Sequence, residues 1–335
     1  MTTGITGPRY RRFSDAYLAV LGEIRNNPQF TTSTRAKDAT EIINVSFTID
    51  DPTDRTPYLR DRMTNIVFNH AETLWYLTGR DDLDMIAHYA PTLRKLSSDG
   101  QRLTGTAYGP RLFAPAGPDG LSQFDRVLRL LAADPDAKRA AMTIMRPDEL
   151  VDMTNPDVAC TLGLHLMLRQ GRLHMGAYMR GNDAVIGLLG DTFAFTFIQE
   201  YAARLLGVQV GTYGHHVGSM HINVLDGPKV DRILAAGPTA EFQPARMPDS
   251  TTRADLAQVA TWEERLRANS AEYTPDLTPD LHDYWREIIA LFEVHRQLTY
   301  QDGPVSGAAL DALRGGHRWL VQCRWPDRMP QQVSR

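Results

Sequence analysis

The sequence predicts an α+β fold in which a mixed sheet is flanked by helices. Strict alternation of apolar residues marks strand regions at 43–49, 162–179 and 208–222. Helical spacing of apolar residues marks further segments before, between and after these strands. The helices and strands follow no regular β-α-β rhythm and contain no internal repeat, which favours α+β over a doubly wound parallel sheet.

Two helices and one strand are predicted in the N-terminal part of the chain. Apolar residues at helical spacing predict a helix over 13–25, which ends before Pro28. Alternation over 43–49 predicts a strand. Residues 64–78 return to helical spacing, and Gly79 follows as a natural C-terminal cap.

A capped helix and a hairpin are predicted in the middle of the chain. The segment 122–131 begins with a Ser-x-x-Asp pattern that resembles a capping box, and it predicts a helix. Residues 162–168 and 173–179 alternate on either side of Gln170-Gly171. This pattern predicts two half-buried strands joined by a tight turn.

A further helix and strand follow the hairpin. Residues 191–206 have helical spacing, with Asp191 and Thr192 as possible N-caps and Gly207 as the closing residue. Residues 208–222 predict another strand region. The helix would therefore connect two strands of the sheet.

The segment 237–279 is polar and rich in Pro, Thr and Asp. It predicts a surface excursion with one helix, at about 255–268, rather than a second domain. We therefore expect residues 1–335 to form a single domain.

Composition and charge exclude several classes of protein. Hydrophobic residues make up 42% of the 335 residues and charged residues 23%, which is typical of a soluble protein with a sizeable core. The net charge is −4, which argues against a polynucleotide partner. No apolar run approaches the roughly 20 residues of a membrane helix, and the N-terminus has no apolar signal core. We expect a cytoplasmic protein that does not act at a membrane.

The two cysteines, Cys160 and Cys323, are too few and too far apart for a disulfide framework or a zinc site. The common role of a single cysteine is that of a small buried residue. Cys160, however, begins the first hairpin strand, and Arg180 ends the second. A guanidinium near a thiol lowers the thiol pKa, so Cys160 is a candidate nucleophile.

Other sites that use cysteine or histidine fit less well. A thiol hydrolase needs a histidine base and an oxyanion hole at a helix N-terminus, whereas Cys160 enters a strand. His215, His216 and His221 lack the spacing of a zinc protease, so no metal is expected. Glycine loops that bind phosphate are absent from the sequence, so we expect arginines to hold any phosphate.

Several motifs occur in the order and spacing of the thymidylate synthase family. Cys160 is followed by Gln-Gly-Arg-Leu at 170–173, by Tyr-Met-Arg-Gly-Asn-Asp at 178–183, and by Gly-Ser-Met-His-Ile at 218–222. Weaker matches extend the resemblance over most of residues 30–225. The chain therefore resembles this family. The resemblance implies a homodimer formed through the sheet and an enzyme that activates C5 of a pyrimidine nucleoside monophosphate, with 5,10-methylenetetrahydrofolate as co-substrate.

The resemblance also implies catalytic roles for individual residues. Cys160 matches the nucleophile that attacks C6 of the ring. Glu72 matches the glutamate that organises water and proton transfer, although a solvated helix charge is the alternative for this residue. Tyr108 matches the tyrosine implicated in removal of the C5 proton.

Phosphate, sugar and folate contacts are implied in the same way. Arg35 and Arg180 match phosphate-binding arginines. Lys138 and Arg139 match the pair that reaches the same phosphate across the dimer, with Lys138 replacing an arginine by a point charge. Further matches concern the folate and the sugar: Asp183 matches the aspartate that contacts the pterin, Gly187 lies in the cofactor-binding motif, and His221 lies where the sugar hydroxyl is bound.

Asp191 departs from the family pattern at the position that reads the base. In the synthases, an asparagine four residues after the glycine that matches Gly187 recognises O4 and N3–H of uracil. Cytosine presents an amino donor at C4 and an acceptor at N3, and a carboxyl group that shares one proton with N3 satisfies both. This change predicts recognition of cytosine, and a simple helix N-cap remains the alternative for Asp191.

Two further departures concern the sugar and the one-carbon unit. Asn223 replaces a tyrosine near the sugar and Gly181 replaces a serine near the phosphate, so the pocket could admit a ribose 2′-OH and favour CMP over dCMP. No tryptophan occurs between His88 and Gly105, and the C-terminus lacks the apolar closing tail of the synthases. A methylene group that is not shielded from water predicts 5-hydroxymethyl rather than methyl products.

The sequence therefore predicts a cytidylate 5-hydroxymethyltransferase. The alternatives are a C5 methylase of dUMP or UMP, which Asp191 disfavours, and a catalytically silent nucleotide-binding relative. The silent relative has no need of the nucleophile Cys160.

Overall fold

A computed structural model describes residues 6–34 and 37–331 of the chain. Seven strands form one sheet, and helices lie against it. In chain order the strands are β1 (Arg9–Tyr10), β2 (Phe30–Thr34), β3 (Lys37–Ile49), β4 (Ala141–Thr143), β5 (Thr161–Arg169), β6 (Arg172–Asp183) and β7 (Gln209–Asn223).

The sheet is mixed, as predicted. Its order is β1-β3-β7-β6-β5-β4, and β2 also pairs with β3. The pairs β1–β3 and β6–β7 are parallel, and the remaining pairs are antiparallel. Parallel neighbours need a long crossover, which the helix between β6 and β7 supplies. The expected α+β class with a mixed sheet and flanking helices is confirmed.

Three helices in the first half of the chain, α1, α2 and α5, agree with the predicted segments 13–25, 64–78 and 122–131. Ser122 caps α5 by accepting a hydrogen bond from the Asp125 backbone N–H. The helices are α1 (Phe13–Asn26), α2 (Ile66–Leu77), α3 (Leu83–Tyr89), α4 (Gly109–Leu112), α5 (Gln123–Ala133), α6 (Gly187–Leu206), α7 (Gly227–Ala236), α8 (Arg253–Arg267), α9 (Asp283–Tyr300), α10 (Gly307–Asp311) and α11 (Gly315–Arg324).

The start of α6 differs from the prediction. The helix begins at Gly187, one turn earlier than the apolar spacing indicates, so Asp191 and Thr192 lie inside it and are not N-caps. Glycine has a low helix propensity, and Gly187 and Gly190 therefore obscure the first turn in the sequence. Asp191 is thus available for a role other than capping.

The two faces of the sheet have different environments. Ala177, Phe47 and His215 are lateral neighbours on the inner face and are buried beneath α1 and α6. The outer face carries Tyr178 beside His216, and Tyr178 is 41% exposed. Alternation along each strand therefore separates a packed face from an accessible face.

The segment 237–252 contains no helix or strand, and α8 follows it close to the predicted position. Among the described residues, no helix is both long and apolar enough to cross a membrane. The same residues contain no group of three or more His, Cys, Asp or Glu side chains that could hold a metal ion.

Candidate active site

The hairpin register brings Cys160 next to Arg180. The backbone N–H of Arg180 donates to the Cys160 carbonyl at 2.9 Å, and Arg180 Nη2 lies 3.7 Å from Cys160 Sγ. The guanidinium is held in place because Nε donates to the Ala159 carbonyl at 2.8 Å and Nη2 to the Val158 carbonyl at 3.0 Å. A fixed positive charge therefore lies beside the sulfur.

A buried ion pair supports the segment that precedes Cys160. Arg111 pairs with Glu149, and both side chains are less than a tenth exposed. Oε2 of Glu149 accepts a hydrogen bond from the Ala159 N–H at 2.8 Å. Since a buried charge without a partner is strongly destabilising, this pair fixes the backbone adjacent to the sulfur.

Asp157 connects the cysteine loop to the segment that leads to Tyr108. Its carboxylate is 3% exposed and accepts backbone N–H groups of Thr104, Gly105 and Thr106 at 2.7, 2.9 and 2.8 Å. A Cβ on Gly105 would lie 2.2 Å from the Asp157 carbonyl oxygen, so only glycine fits there. These contacts therefore tie the two loops together.

Two carboxyl groups, Glu72 on α2 and Asp191 on α6, meet at the start of α6. A Cβ on Gly190 would lie 3.4 Å from Glu72 Oε2, which therefore reaches the helix turn that carries Asp191. Burial raises the pKa of Glu72 to about 7, and a hydrogen bond with Tyr76 opposes the rise. Burial, with a smaller contribution from Glu72, raises the pKa of Asp191 well above its usual range. Burial therefore favours the protonated form of both carboxyl groups.

Tyr108 completes this group of side chains. It is 4% exposed and stacks on Tyr76, with 5.1 Å between the ring centroids. Burial, followed by the charges of Asp191 and Cys160, raises the pKa of Tyr108 well above its usual range. The phenol is therefore neutral and able to donate a hydrogen bond.

Asp183 is held by three hydrogen bonds at the end of β6. Its Oδ1 accepts the backbone N–H groups of Val185 and Ile186, both at 2.8 Å. Its Oδ2 accepts Asn223 Nδ2 at 2.6 Å. A carboxylate has about four acceptor positions, so Oδ2 keeps capacity for one more donor.

The remaining sequence candidates lie around this centre. His221 on β7 pairs in register with Asp183 on β6 and is partly buried. A Cβ on Gly181 would lie 3.7 Å from the Ser219 carbonyl oxygen, an ordinary contact distance. The backbone therefore does not require glycine at this position.

The predicted phosphate residues are only partly assembled within one chain. Arg180 lies beside Cys160, whereas Lys138 and Arg139 are exposed and lie beside the middle of β5, where the Lys138 carbonyl contacts His165 Nε2 at 3.0 Å. Arg35 lies outside the described residues.

Sequence reasoning missed several residues that build the site. Tyr76 could have been found, because it follows Glu72 by four residues on one helix face. Asp157 lies three residues before Cys160, but the sequence alone does not indicate that it is buried. Its importance can be recognised only when its loop partners are known. Arg111 and Glu149 are 38 residues apart and carry no sequence signal of their contact.

The chain is similar to known proteins in sequence. The family model of thymidylate synthase matches residues 15–262. The deoxyuridylate hydroxymethyltransferase of Bacillus phage SP01 is 34% identical over 208 residues, which are 58% of this chain and 54% of that protein. The corresponding protein of Delftia phage PhiW-14 is 29% identical over 213 residues, covering 60% of this chain and 58% of that protein. The matched part thus spans little more than half the length of these relatives.

A solved structure shares the fold. The thermostable thymidylate synthase A from Bacillus subtilis superposes with a TM-score of 0.56 at 21% identity, covering 70% of this chain and 86% of that chain. The similarity extends the sequence match to the arrangement of the sheet and its helices.

Proposed function

The chain belongs to the thymidylate synthase family, and on this premise we propose that it is a cytidylate 5-hydroxymethyltransferase. The reaction converts CMP, and less readily dCMP, to the 5-hydroxymethyl nucleotide. It consumes 5,10-methylenetetrahydrofolate and water and releases tetrahydrofolate. The observation that carries the proposal is the approach of Glu72 to the helix turn that carries Asp191, where burial raises the pKa of the Asp191 carboxyl group and so favours its protonated form.

Cys160 forms the covalent bond that makes C5 reactive. Its sulfur attacks C6, the electron pair of the C5–C6 bond moves to C5, and Arg180 supplies a positive charge 3.7 Å from the sulfur. The folate supplies the one-carbon unit. The C5 proton then leaves toward the group of Tyr108 and Glu72, and the Cys160–C6 bond breaks at the end of the reaction.

Asp191 recognises the base through one shared proton. Its protonated oxygen donates to N3 of cytosine, and its other oxygen accepts from the C4 amino group. When sulfur attack makes the ring electron-rich, the proton moves to N3 and leaves a carboxylate that pairs with both N–H groups. A protonated carboxyl group can also pair with uracil, by donating to O4 and accepting from N3–H. The property that favours cytosine is its basic N3, which takes the proton of Asp191 when the ring becomes electron-rich, whereas N3 of uracil already carries a hydrogen.

Water access favours the hydroxymethyl product. The segment 91–102, which lacks tryptophan, exposes Arg94 and Lys95. Glu72, whose pKa of about 7 lets it accept or give a proton near neutrality, is suited to activate the water that adds to the exocyclic carbon.

The pocket residues support the ribonucleotide and the folate. Gly181 has no side chain where the family has a serine, which would leave more room for a 2′-OH near the phosphate. Asp183 keeps one acceptor position for a pterin N–H, and Asn223 holds its carboxylate in place. Asn223 thus lies between Asp183, which is proposed to bind the pterin, and His221, which remains the candidate to bind the sugar hydroxyl.

Dimerisation would complete the phosphate site. Tyr178 and Leu162 on the sheet are 41% and 45% exposed, and apolar side chains of this size favour burial against another subunit. Lys138 and Arg139 are exposed beside β5, where they would reach the phosphate of a partner subunit. We therefore propose a homodimer that forms through the sheet. Each subunit is a single domain, and the segment 237–279 packs on the core of that domain.

A second candidate is hydroxymethylation of dUMP, which the names of the phage relatives favour. The two candidates share Cys160, Glu72 and the folate site, and they differ in the base that Asp191 accepts.

Mass analysis of CMP, dCMP and dUMP after incubation with the enzyme and methylenetetrahydrofolate tests the proposal. We expect a gain of CH2O on CMP, a smaller yield from dCMP, and little from dUMP. A gain of CH2O on dUMP alone would establish the second candidate. A gain of CH2 on any of the three would instead identify a methylase.

A further inference from the structure

Glu41 lies on the same face of the sheet as the candidate sugar and pterin residues, and the reaction described above gives it no role. On β3 it pairs in register with His221 on β7, which pairs in turn with Asp183 on β6. Directly opposed residues of neighbouring strands share one face of a sheet. The next residue along β3, Ile42, is buried beside α1, so Glu41 points away from this helix. All three side chains of the row are half-buried and therefore accessible to a ligand.

The Glu41 carboxylate leans from this row toward Gly181. Its Oε2 accepts a hydrogen bond from Ser219 Oγ, and Ser219 lies two residues before His221 on β7. Ser219 pairs in register with Gly181 on β6. The carboxylate is therefore directed along the sheet, from the row of the candidate sugar residue toward the position that has no side chain.

Ser219 leaves most of the acceptor capacity of Glu41 unused. An ionised carboxylate has about four acceptor positions and no donor. In the part of the chain that the structure describes, Ser219 is the one side chain that donates to Glu41, and no basic side chain forms an ion pair with it. Like charges repel, so a carboxylate near a nucleoside monophosphate does not serve to bind the phosphate. The ligand group that suits Glu41 is a neutral hydrogen-bond donor.

The 2′-OH of a ribose is a donor of this kind. Ribose carries hydroxyl groups on C2′ and C3′, whereas 2′-deoxyribose carries only the second. In dinucleotide-binding proteins, an Asp or Glu side chain hydrogen-bonds the ribose 2′-OH. The room beside Gly181 admits a 2′-OH but does not disfavour its absence. Selection requires an acceptor that is left without its partner when the hydroxyl is missing.

We propose that Glu41 determines the choice of sugar by accepting a hydrogen bond from the ribose 2′-OH, while Ser219 holds its carboxylate in place. His221 binds the neighbouring 3′-OH. No covalent bond forms or breaks in this contact, so Glu41 acts on nucleotide binding and leaves the chemistry at C5 and C6 to the residues described above. The inference rests on the proposed function, because that function places the sugar beside His221.

Calorimetric binding of ribonucleotides and deoxyribonucleotides, without folate, tests this role. The dissociation constants of CMP and dCMP give one ratio, and those of UMP and dUMP give a second ratio for the other base. The wild type should bind the ribonucleotide of each pair more tightly. In Glu41→Ala we expect this preference to fall by about tenfold, because a hydrogen bond to a charged group is lost. Glu41→Gln keeps a neutral acceptor of nearly the same shape and should retain part of the preference.

Glu23→Gln is the matched control, because Glu23 is exposed on α1 and borders a groove with Ile42, on the opposite face of the sheet from Glu41. Its ratios should equal those of the wild type. Equal affinity of the wild type for both members of each pair would overturn the inference. Unchanged ratios in Glu41→Ala and Glu41→Gln would overturn it as well, since a purely structural role weakens all four nucleotides alike. If the ratios shift as expected but the wild type fails to exchange the C5 hydrogen of cytidylate, the proposed function alone fails.

Discussion

At the scale of single residues, the proposed chemistry depends on two acidic side chains whose pKa values are raised by their environments. Glu72 on α2 approaches the first turns of α6, where Asp191 lies, and burial is the largest cause of the raised pKa in both. Paired carboxyl groups with displaced pKa values are typical of sites that move protons.

Exchange of Asp191 for asparagine should change the base that the enzyme accepts. Asp191→Asn restores an amide that donates to O4 and accepts from N3–H, so the ratio of kcat/KM for uracil over cytosine nucleotides should rise by about a hundredfold or more. The ratio is measured with dUMP, CMP and dCMP under identical conditions. Unchanged selectivity would contradict the role of Asp191 in reading the base.

Loss of the thiol should remove covalent activation without removing the binding site. Cys160→Ala is expected to abolish both product formation and exchange of the C5 hydrogen in the nucleotide, while nucleotide binding persists. Cys323→Ala, on α11, is the matched control and should leave both activities intact. Residual hydrogen exchange in Cys160→Ala would exclude a thiol adduct at C6.

The proton on Glu72 should make stability depend on pH. The folded chain keeps this proton up to a pKa of about 7, whereas the ordinary value is 4.5. Between these values the folded state binds more protons than the unfolded state, so the free energy of unfolding falls as pH rises. The side chain in Glu72→Gln cannot ionise, so the free energy of unfolding of this variant should not fall in this way. At slightly alkaline pH the variant should be more stable than the wild type by up to about 3 kcal/mol. It should also be inactive.

Urea unfolding at mildly acidic and mildly alkaline pH measures this difference. Glu264→Gln changes an exposed position on α8 and should follow the wild-type pH dependence. A constant difference between Glu72→Gln and the wild type across the pH range would show that Glu72 is ionised throughout.

At the scale of elements, the site depends on how irregular segments are fastened to the sheet. Asp157 ties residues 104–106 to the cysteine loop by three backbone hydrogen bonds, and Glu149 fixes Ala159 next to the nucleophile. Loops carry reactive residues well only when such contacts restrict their motion.

Truncation of Asp157 should therefore weaken folding and catalysis together. Asp157→Ala leaves three buried N–H groups without their acceptor, and we expect the free energy of unfolding to fall by about 3 kcal/mol or more. Because Tyr108 lies just beyond the released segment, kcat should fall by about tenfold to a hundredfold. Chemical unfolding and steady-state kinetics check both values.

Asp152→Ala is the control for this experiment. Asp152 is exposed and accepts hydrogen bonds from Thr154 within a local turn, so its loss should change neither measurement appreciably. Equal effects of the two variants would argue against the coupling of the two loops.

At the scale of the whole molecule, the exposed outer face of the sheet and the position of Lys138 and Arg139 favour a dimer with shared phosphate sites. If each site takes its nucleophile from one subunit and Arg139 from the other, two inactive variants should complement each other. Mixed dimers of Cys160→Ala and Arg139→Ala contain one intact site, so random mixing should recover about a quarter of wild-type activity.

Refolding the two variants together and separately provides the measurement. The control is a mixture of Cys160→Ala with Arg180→Ala. Because Arg180 and Cys160 lie beside each other in one chain, each subunit of a mixed dimer lacks one of the two residues that its own site needs. That pair should recover no activity. If activity returned in the control mixture but not in the mixture with Arg139→Ala, then Arg180, and not Arg139, would be the residue that the partner subunit contributes.

The sequence by itself predicted the four long strands β3, β5, β6 and β7, the helices α1, α2, α5, α6 and α8, and the pairing of Cys160 with Arg180, because these depend on local periodicity and on the register of one short hairpin. It also determined the family, since the motifs occur in order along one chain. It did not predict the short strands β1, β2 and β4 or the helices α3, α4, α7, α9, α10 and α11. Local patterns could not place the start of α6, because Gly187 and Gly190 lower the helix signal while tertiary packing of the helix maintains it.

Only the tertiary structure decided which distant side chains meet. Glu72 lies close to the helix turn that carries Asp191, although the two residues are more than a hundred positions apart in the sequence. Asn182 likewise contacts His215 on a neighbouring strand. The protonation of these groups follows from burial and from charges brought close by packing, and neither can be read from residue spacing. The sequence thus identifies the chemical groups, while the fold sets the pKa values and orientations through which they act.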